Sequence, residues 1–267
     1  MEKFKERLWL WGQSAGTHTI FPENIFKLPK CSRMTPLEGC VYLGIPNVCR
    51  VVMAGQPQIS KFEQEMIPLE PLDKVVWSIV GDCSTEHLGG NEELEEVLRL
   101  AEKNENIVGG VLDDILSANR REIFTPERLQ GYAQKLHAAK RPLELWAVLY
   151  EIQLEDWIKP YLASCDVITF WTWHGKSLEC LEENICKVKE MFPDKKVMAG
   201  VYMWDYGELQ PLPNECMQKQ LDCVYKLIKD RTIEGAIICS NCIADIGLET
   251  VKITRDWIKE HGEEMVK

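Results

Sequence analysis

Ile107-Val108-Gly109-Gly110-Val111-Leu112-Asp113-Asp114-Ile115 is an apolar run that ends in two adjacent carboxylates. An unbroken apolar stretch of this length, bounded by polar residues, reads as a strand buried on both faces, the form taken by strands of a parallel sheet covered by helices. The two acids then stand at the mouth of that strand. The same pattern recurs in both directions along the chain. Leu8–Gly12, Ile45–Met53 and Val75–Gly81 precede it, and Leu145–Tyr150, Asp166–Trp171, Lys196–Met203 and Gly235–Cys239 follow it. Helical patterns separate the runs. Thr35-Pro36-Leu37-Glu38 opens a helix with proline in its first turn, and Gly44 stops it. Lys61–Ile67 is a short helix, and Glu92–Asn104 carries Leu94, Val97, Leu98 and Ala101 at helical spacing behind an acidic first turn. Thr125-Pro126 opens a helix to about Ala139, and Asp156–Ala163, Ser177–Met191, Asn214–Lys229 and Leu248–His261 complete the set.

Eight apolar strands alternating with eight helices, without a linker or a break in composition, predict an α/β fold, a single (β/α)8 TIM barrel spanning residues 1–267. An open doubly wound sheet is the rival. Chain length favours the barrel, and no Gly-x-Gly-x-x-Gly follows the first strand, so neither a dinucleotide nor any other cofactor is expected.

Composition narrows the partners. The chain has 267 residues, 45% of them apolar and 27% charged, and a net charge of -11. No basic run exceeds Lys195-Lys196, which argues against nucleic acid and against an anionic membrane surface. The opening Met1-Glu2-Lys3-Phe4-Lys5-Glu6-Arg7 has no apolar core of the signal-peptide kind, and no segment has the length to span a bilayer, so a cytoplasmic location is the expectation. Eleven cysteines, odd in number and scattered through apolar patterns, read as free thiols. Cys239-Ser240-Asn241-Cys242 has zinc-knuckle spacing but lacks a second pair of ligands nearby.

In a barrel of this kind the carboxyl ends of all strands meet at one mouth. The polar and aromatic residues at those ends are Trp11, Gln13, Asp82, Asp113, Asp114, Tyr150, Glu151, Trp171, Trp173, His174, Tyr202, Trp204, Asp205, Tyr206, Ser240 and Asn241. Acids and indoles dominate. Aromatic faces pack against the C–H faces of sugar rings while carboxylates and amides take the hydroxyls, so a small carbohydrate is the expected partner. Cleaving a glycosidic bond needs one group to protonate the leaving oxygen and another to stabilise or attack the anomeric carbon. Two neighbouring acids cannot both ionise cheaply once desolvated, which is one way to hold a proton for that purpose. Either aspartate alone would equally serve as the cap of the following turn. We expect Asp113, Asp114 and Glu151 to be catalytic, and Trp11, Tyr150, Trp171, Trp173, His174, Tyr202, Trp204, Asp205 and Asn241 to bind substrate.

Leu112-Asp113-Asp114-Ile115, Trp171-Thr172 followed by Gly175, and Trp204-Asp205-Tyr206 occur in an order that resembles the O-GlcNAcase type of β-N-acetylglucosaminidase. Carried over by position, the resemblance implies that Asp113 orients the substrate's acetamido group and that Asp114 is the general acid and base. Two other classes fit the composition. A metal-dependent barrel hydrolase or isomerase would draw on His18, His87 and His174 with Asp82 or Asp205, although no His-x-His follows the first strand. A non-catalytic sugar-binding barrel would keep the aromatic residues and tolerate loss of the paired acids.

Overall fold

A computed structural model of the chain describes residues 1–20, 23–83 and 89–266. Eight parallel strands close into a barrel in sequence order: β1 (Leu8–Gly12), β2 (Asn47–Arg50), β3 (Lys74–Val80), β4 (Ile107–Leu112), β5 (Glu144–Tyr150), β6 (Val167–Trp171), β7 (Lys196–Tyr202) and β8 (Gly235–Cys239). β1 pairs with β8 in the register Leu8 to Ala236 through Trp11 to Cys239, which closes the ring. Every residue of β1, β2, β6 and β8 is buried, because one face fills the barrel and the other lies under helices. This is the (β/α)8 TIM barrel expected from the alternation of runs.

The crossover helices are α1 (Pro36–Leu43), α2 (Phe62–Met66), α3 (Asn91–Lys103), α4 (Pro126–His137), α5 (Lys159–Leu162), α6 (Leu181–Met191), α7 (Asn214–Lys229) and α8 (Glu249–His261). α1 begins where Thr35 and Glu38 cap each other's backbone N–H groups, and it ends at Gly44 in the left-handed conformation, φ 76°. α3 buries Leu94, Val97, Leu100 and Ala101, the stripe a 3.6-residue period puts on one face. Among the described residues no helix is long and apolar enough to cross a membrane.

Local departures from expectation have physical causes. β2 is shorter than the apolar run around it, since Pro46 has no N–H for the ladder and Met53 turns back to pair with Gln56. β4 stops at Leu112, although Asp113 still donates its backbone N–H to Val80 at 3.0 Å. Asp114 then adopts φ 52°, a left-handed conformation that aspartate tolerates better than most residues, and the chain turns out of the sheet. Residues Gly175–Cys180 form a 3-10 helix ahead of α6, where an α-helix from Ser177 was expected; no side chain caps its start. A short antiparallel ribbon, Glu2–Lys3 with Met265–Val266, joins the two ends of the chain.

Candidate active site

The acidic corner is built by the ends of β3, β4 and β5. Asp113 is buried, and Asp114 beside it is half-buried. The Tyr150 hydroxyl, at the end of β5, donates to Asp114 Oδ1 at 3.0 Å, and the Cys83 backbone N–H donates to Oδ2 at 3.1 Å. Beneath them the fully buried Arg120 donates to the backbone oxygens of Gly81 and Asp113 through Nη1, at 2.5 and 3.1 Å, and to that of Asp82 through Nη2 at 2.6 Å. One guanidinium thus ties the ends of two strands together. Burial pushes the Asp113 carboxyl far above the ordinary carboxylate range, the charges of Asp114 and Asp82 add to the effect, and Arg120 opposes it. Asp113 is therefore biased toward its protonated form relative to an exposed aspartate.

Aromatic rings form the rest of the wall. Trp11 meets Trp171 edge-on with ring centroids 5.2 Å apart, and Trp171 leans on Tyr202 at 4.9 Å. Trp173 packs on Tyr150, Tyr202 and Tyr206 at 5.7, 5.9 and 5.6 Å. Gly200 in β7 makes room for this stack, since a Cβ there would lie 2.1 Å from two carbons of the Trp171 ring. Burial raises the hydroxyls of Tyr150, Tyr202 and Tyr206 well above the usual phenol, which keeps them protonated. It also lowers His18 to about 3, so this imidazole is neutral; its Nδ1 lies 3.4 Å from the Tyr206 hydroxyl. Together these side chains enclose a cavity of about 90 Å³.

Of the residues singled out from sequence, Asp113, Asp114, Trp11, Tyr150, Trp171, Trp173 and Tyr202 line this cavity. Glu151, His174, Trp204, Asp205 and Asn241 do not line it. The Glu151 carboxylate accepts the backbone N–H groups of Trp173 and His174 at 2.9 and 3.3 Å, so it pins the loop that carries Trp173. His174 Nδ1 lies 3.2 Å from Glu208, Asp205 accepts the Glu208 backbone N–H at 3.0 Å, and Trp204 donates its indole N–H to the Phe26 carbonyl at 3.1 Å. Asn241 brackets Gln13: its amide oxygen accepts the Gln13 N–H at 2.8 Å and its amide nitrogen donates to the Gln13 carbonyl at 2.9 Å.

The cavity also takes in Gln13, Asp82 and Tyr206 from the strand ends and His18 from the loop after β1, as well as Phe26, Met53, Val148 and Cys239. Phe26 and Met53 come from loops, and Val148 and Cys239 from within strands, where apolar runs give no sign of which side chain faces the mouth. Among the described residues no three His, Cys, Asp or Glu side chains converge in a way that could hold a metal ion; His87 lies outside the described residues.

No family model and no curated protein matches the chain. Solved structures do. The catalytic domain of a family GH18 chitinase from the fern Peteris ryukyuensis is similar with a TM-score of 0.58 over 96% of this chain and 100% of that one, at 10% identity. A family 51 α-L-arabinofuranosidase from Bifidobacterium longum gives 0.59 over 98% and 74%, at 12% identity. A type I 3-dehydroquinate dehydratase from Clostridium difficile gives 0.53 over 97% and 94%, at 6% identity. At these identities the likeness is one of fold, a barrel that hosts more than one chemistry.

Proposed function

We propose that the chain is a glycoside hydrolase acting on a small glycoside or glycan fragment. The observation that carries this reading is the pair Asp113–Asp114 set in a cavity walled by indole and phenol rings at the carboxyl ends of the strands. Several barrels of similar fold are glycosidases by name, which supports the same reading. Asp113, buried and biased toward its protonated form, gives its proton to the glycosidic oxygen as the bond to the anomeric carbon breaks. Asp114 stabilises the positive charge that develops on that carbon, held in place by Tyr150 and Cys83. Water then adds to the anomeric carbon and returns a proton to Asp113. The resemblance to the O-GlcNAcase type implies the reverse assignment, with Asp114 as the acid; the deeper burial of Asp113 favours the exchange.

A panel of aryl hexosides, pentosides and N-acetylhexosaminides tests the reading. The parent should cleave at least one, and Asp113→Asn should lower kcat by ~10²–10⁴-fold, the range for loss of a general acid. The loss should shrink on a dinitrophenyl glycoside, whose leaving group needs little protonation. Asp114→Asn should be equally damaging on both kinds of leaving group. A parent that cleaves nothing, with or without divalent metal, would overturn the proposal.

A further inference from the structure

Gln13, directly after β1, is 5% exposed and lines the cavity. Its backbone is fixed on both sides by Asn241, which also donates to the Met34 carbonyl at 2.7 Å. The side chain is left badly served. Its amide nitrogen donates to the thioether sulfur of Met53 at 3.0 Å, a weak acceptor, and its amide oxygen has no hydrogen-bond partner. Buried amides are nearly always satisfied, and one held without a partner in a cavity wall is poised for a ligand. Met53, whose sulfur accepts the amide N–H, also lines the cavity.

The charges around the cavity limit what that ligand can be. Among the described lining residues are the carboxyl groups of Asp82, Asp113 and Asp114, and neither lysine nor arginine. The nearby Arg120 and Arg50 are fully buried behind the wall. Arg120 spends its guanidinium on the backbone oxygens of Gly81, Asp82 and Asp113. Arg50 spends its own on the oxygens of Gly12 and Val51, the Ser14 hydroxyl and Glu65. The lining imidazole, His18, is kept neutral by burial. An acidic substituent entering here would meet carboxyl groups with no cation to pair with among the described lining residues, a costly arrangement in a desolvated site.

We infer that Gln13 is a substrate-binding residue, taking a hydroxyl or amide N–H of the sugar on its side-chain oxygen, and that the site admits sugar rings without an acidic group and rejects uronates. The inference rests on reading the cavity as a sugar site, but not on turnover there.

The test is binding, read by the intrinsic fluorescence of the tryptophans that line the cavity. Methyl glycosides of neutral hexoses and N-acetylhexosamines are titrated, each hexoside paired with its uronate. Expected is a saturable response to at least one neutral glycoside and at least tenfold weaker binding of the matching uronate. Gln13→Leu should weaken the neutral ligand about tenfold while the thermal midpoint of the free protein stays level or rises, because an unsatisfied amide has been removed. Uronates binding as well as neutral sugars, no response to any glycoside, or a Gln13→Leu protein with lower stability and unchanged affinity would each overturn the inference. The separate outcomes are distinguishable: Gln13-dependent binding without hydrolysis sinks the catalytic reading alone, and hydrolysis with equal binding of uronates sinks this one alone.

Discussion

Two buried groups in the same cavity wall, one an acid and one a base, are pushed toward their uncharged forms and make opposite demands on pH. Asp113 holds its proton to higher pH in the folded chain than in the unfolded one, where it loses it near pH 4. Its contribution to stability is therefore complete below the unfolded value and is lost as pH rises through the raised folded value. His18 is lowered from 6.5 to about 3, so the unfolded chain takes up a proton that the folded one refuses. That contribution is complete above pH 6.5 and is lost as pH falls toward 3. Each unit of displacement is worth about 1.4 kcal/mol. Thermal midpoints measured from pH 4 to 9 should show Asp113→Asn gaining on the parent as pH rises and His18→Asn gaining on it as pH falls. Curves that stay parallel to the parent would remove the electrostatic account of both residues. With Asp113 as the proton donor, kcat/KM should fall on the alkaline side, and a profile flat across that range would leave Asp113 without that role.

At the scale of elements, the site depends on how closely β6 and β7 approach. Gly200 lets the Trp171 ring lie against β7, and any Cβ would drive the ring toward the cavity. Gly200→Ala should therefore cost ~1–3 kcal/mol in urea denaturation, the usual penalty of overpacking, and should alter the near-UV circular dichroism of the tryptophans. Unchanged stability would mean the stack has slack that the geometry denies. The strands themselves were legible in the sequence, because burial on both faces leaves uninterrupted apolar runs such as Leu8–Gly12 and Gly235–Cys239. Long helices were legible through their periodicity, as in α3. What escaped is set by tertiary context. The stop of β4 at Leu112 follows from the backbone turn at Asp114, and the ribbon of Glu2–Lys3 with Met265–Val266 needs a partner from the far end of the chain. The rule that polar residues at strand ends share a mouth placed Asp113, Asp114, Tyr150 and Trp171 at the cavity. It could not tell that Glu151 turns to the Trp173 backbone, or that Asn241 spends its amide on Gln13 and Met34.

Across the whole molecule, closure of the barrel determines which thiols reagents can reach. All eleven cysteines are free. Cys31, Cys83, Cys180 and Cys186 are exposed, whereas Cys40, Cys49, Cys165, Cys239 and Cys242 are buried. Burial also raises these five thiols, Cys40 and Cys165 to about 12, so both access and ionisation suppress their reaction. A thiol reagent at neutral pH should therefore modify the exposed set in the native protein and reach Cys40, Cys49, Cys165 and Cys242 only on unfolding. A reductant should leave the thermal midpoint unchanged. Within the exposed set Cys83 should lag, because partial burial and the neighbouring Asp114 carboxylate push it to about 12. Cys49 of β2, fully buried beside Cys40 of α1, becomes available only when the packing of helix on barrel opens. Its slow modification then reports the free energy of that opening, as protected amides do in hydrogen exchange. If Cys49 reacts as fast as Cys31 under native conditions, the barrel is not packed in solution, and the cavity built across its mouth loses its frame.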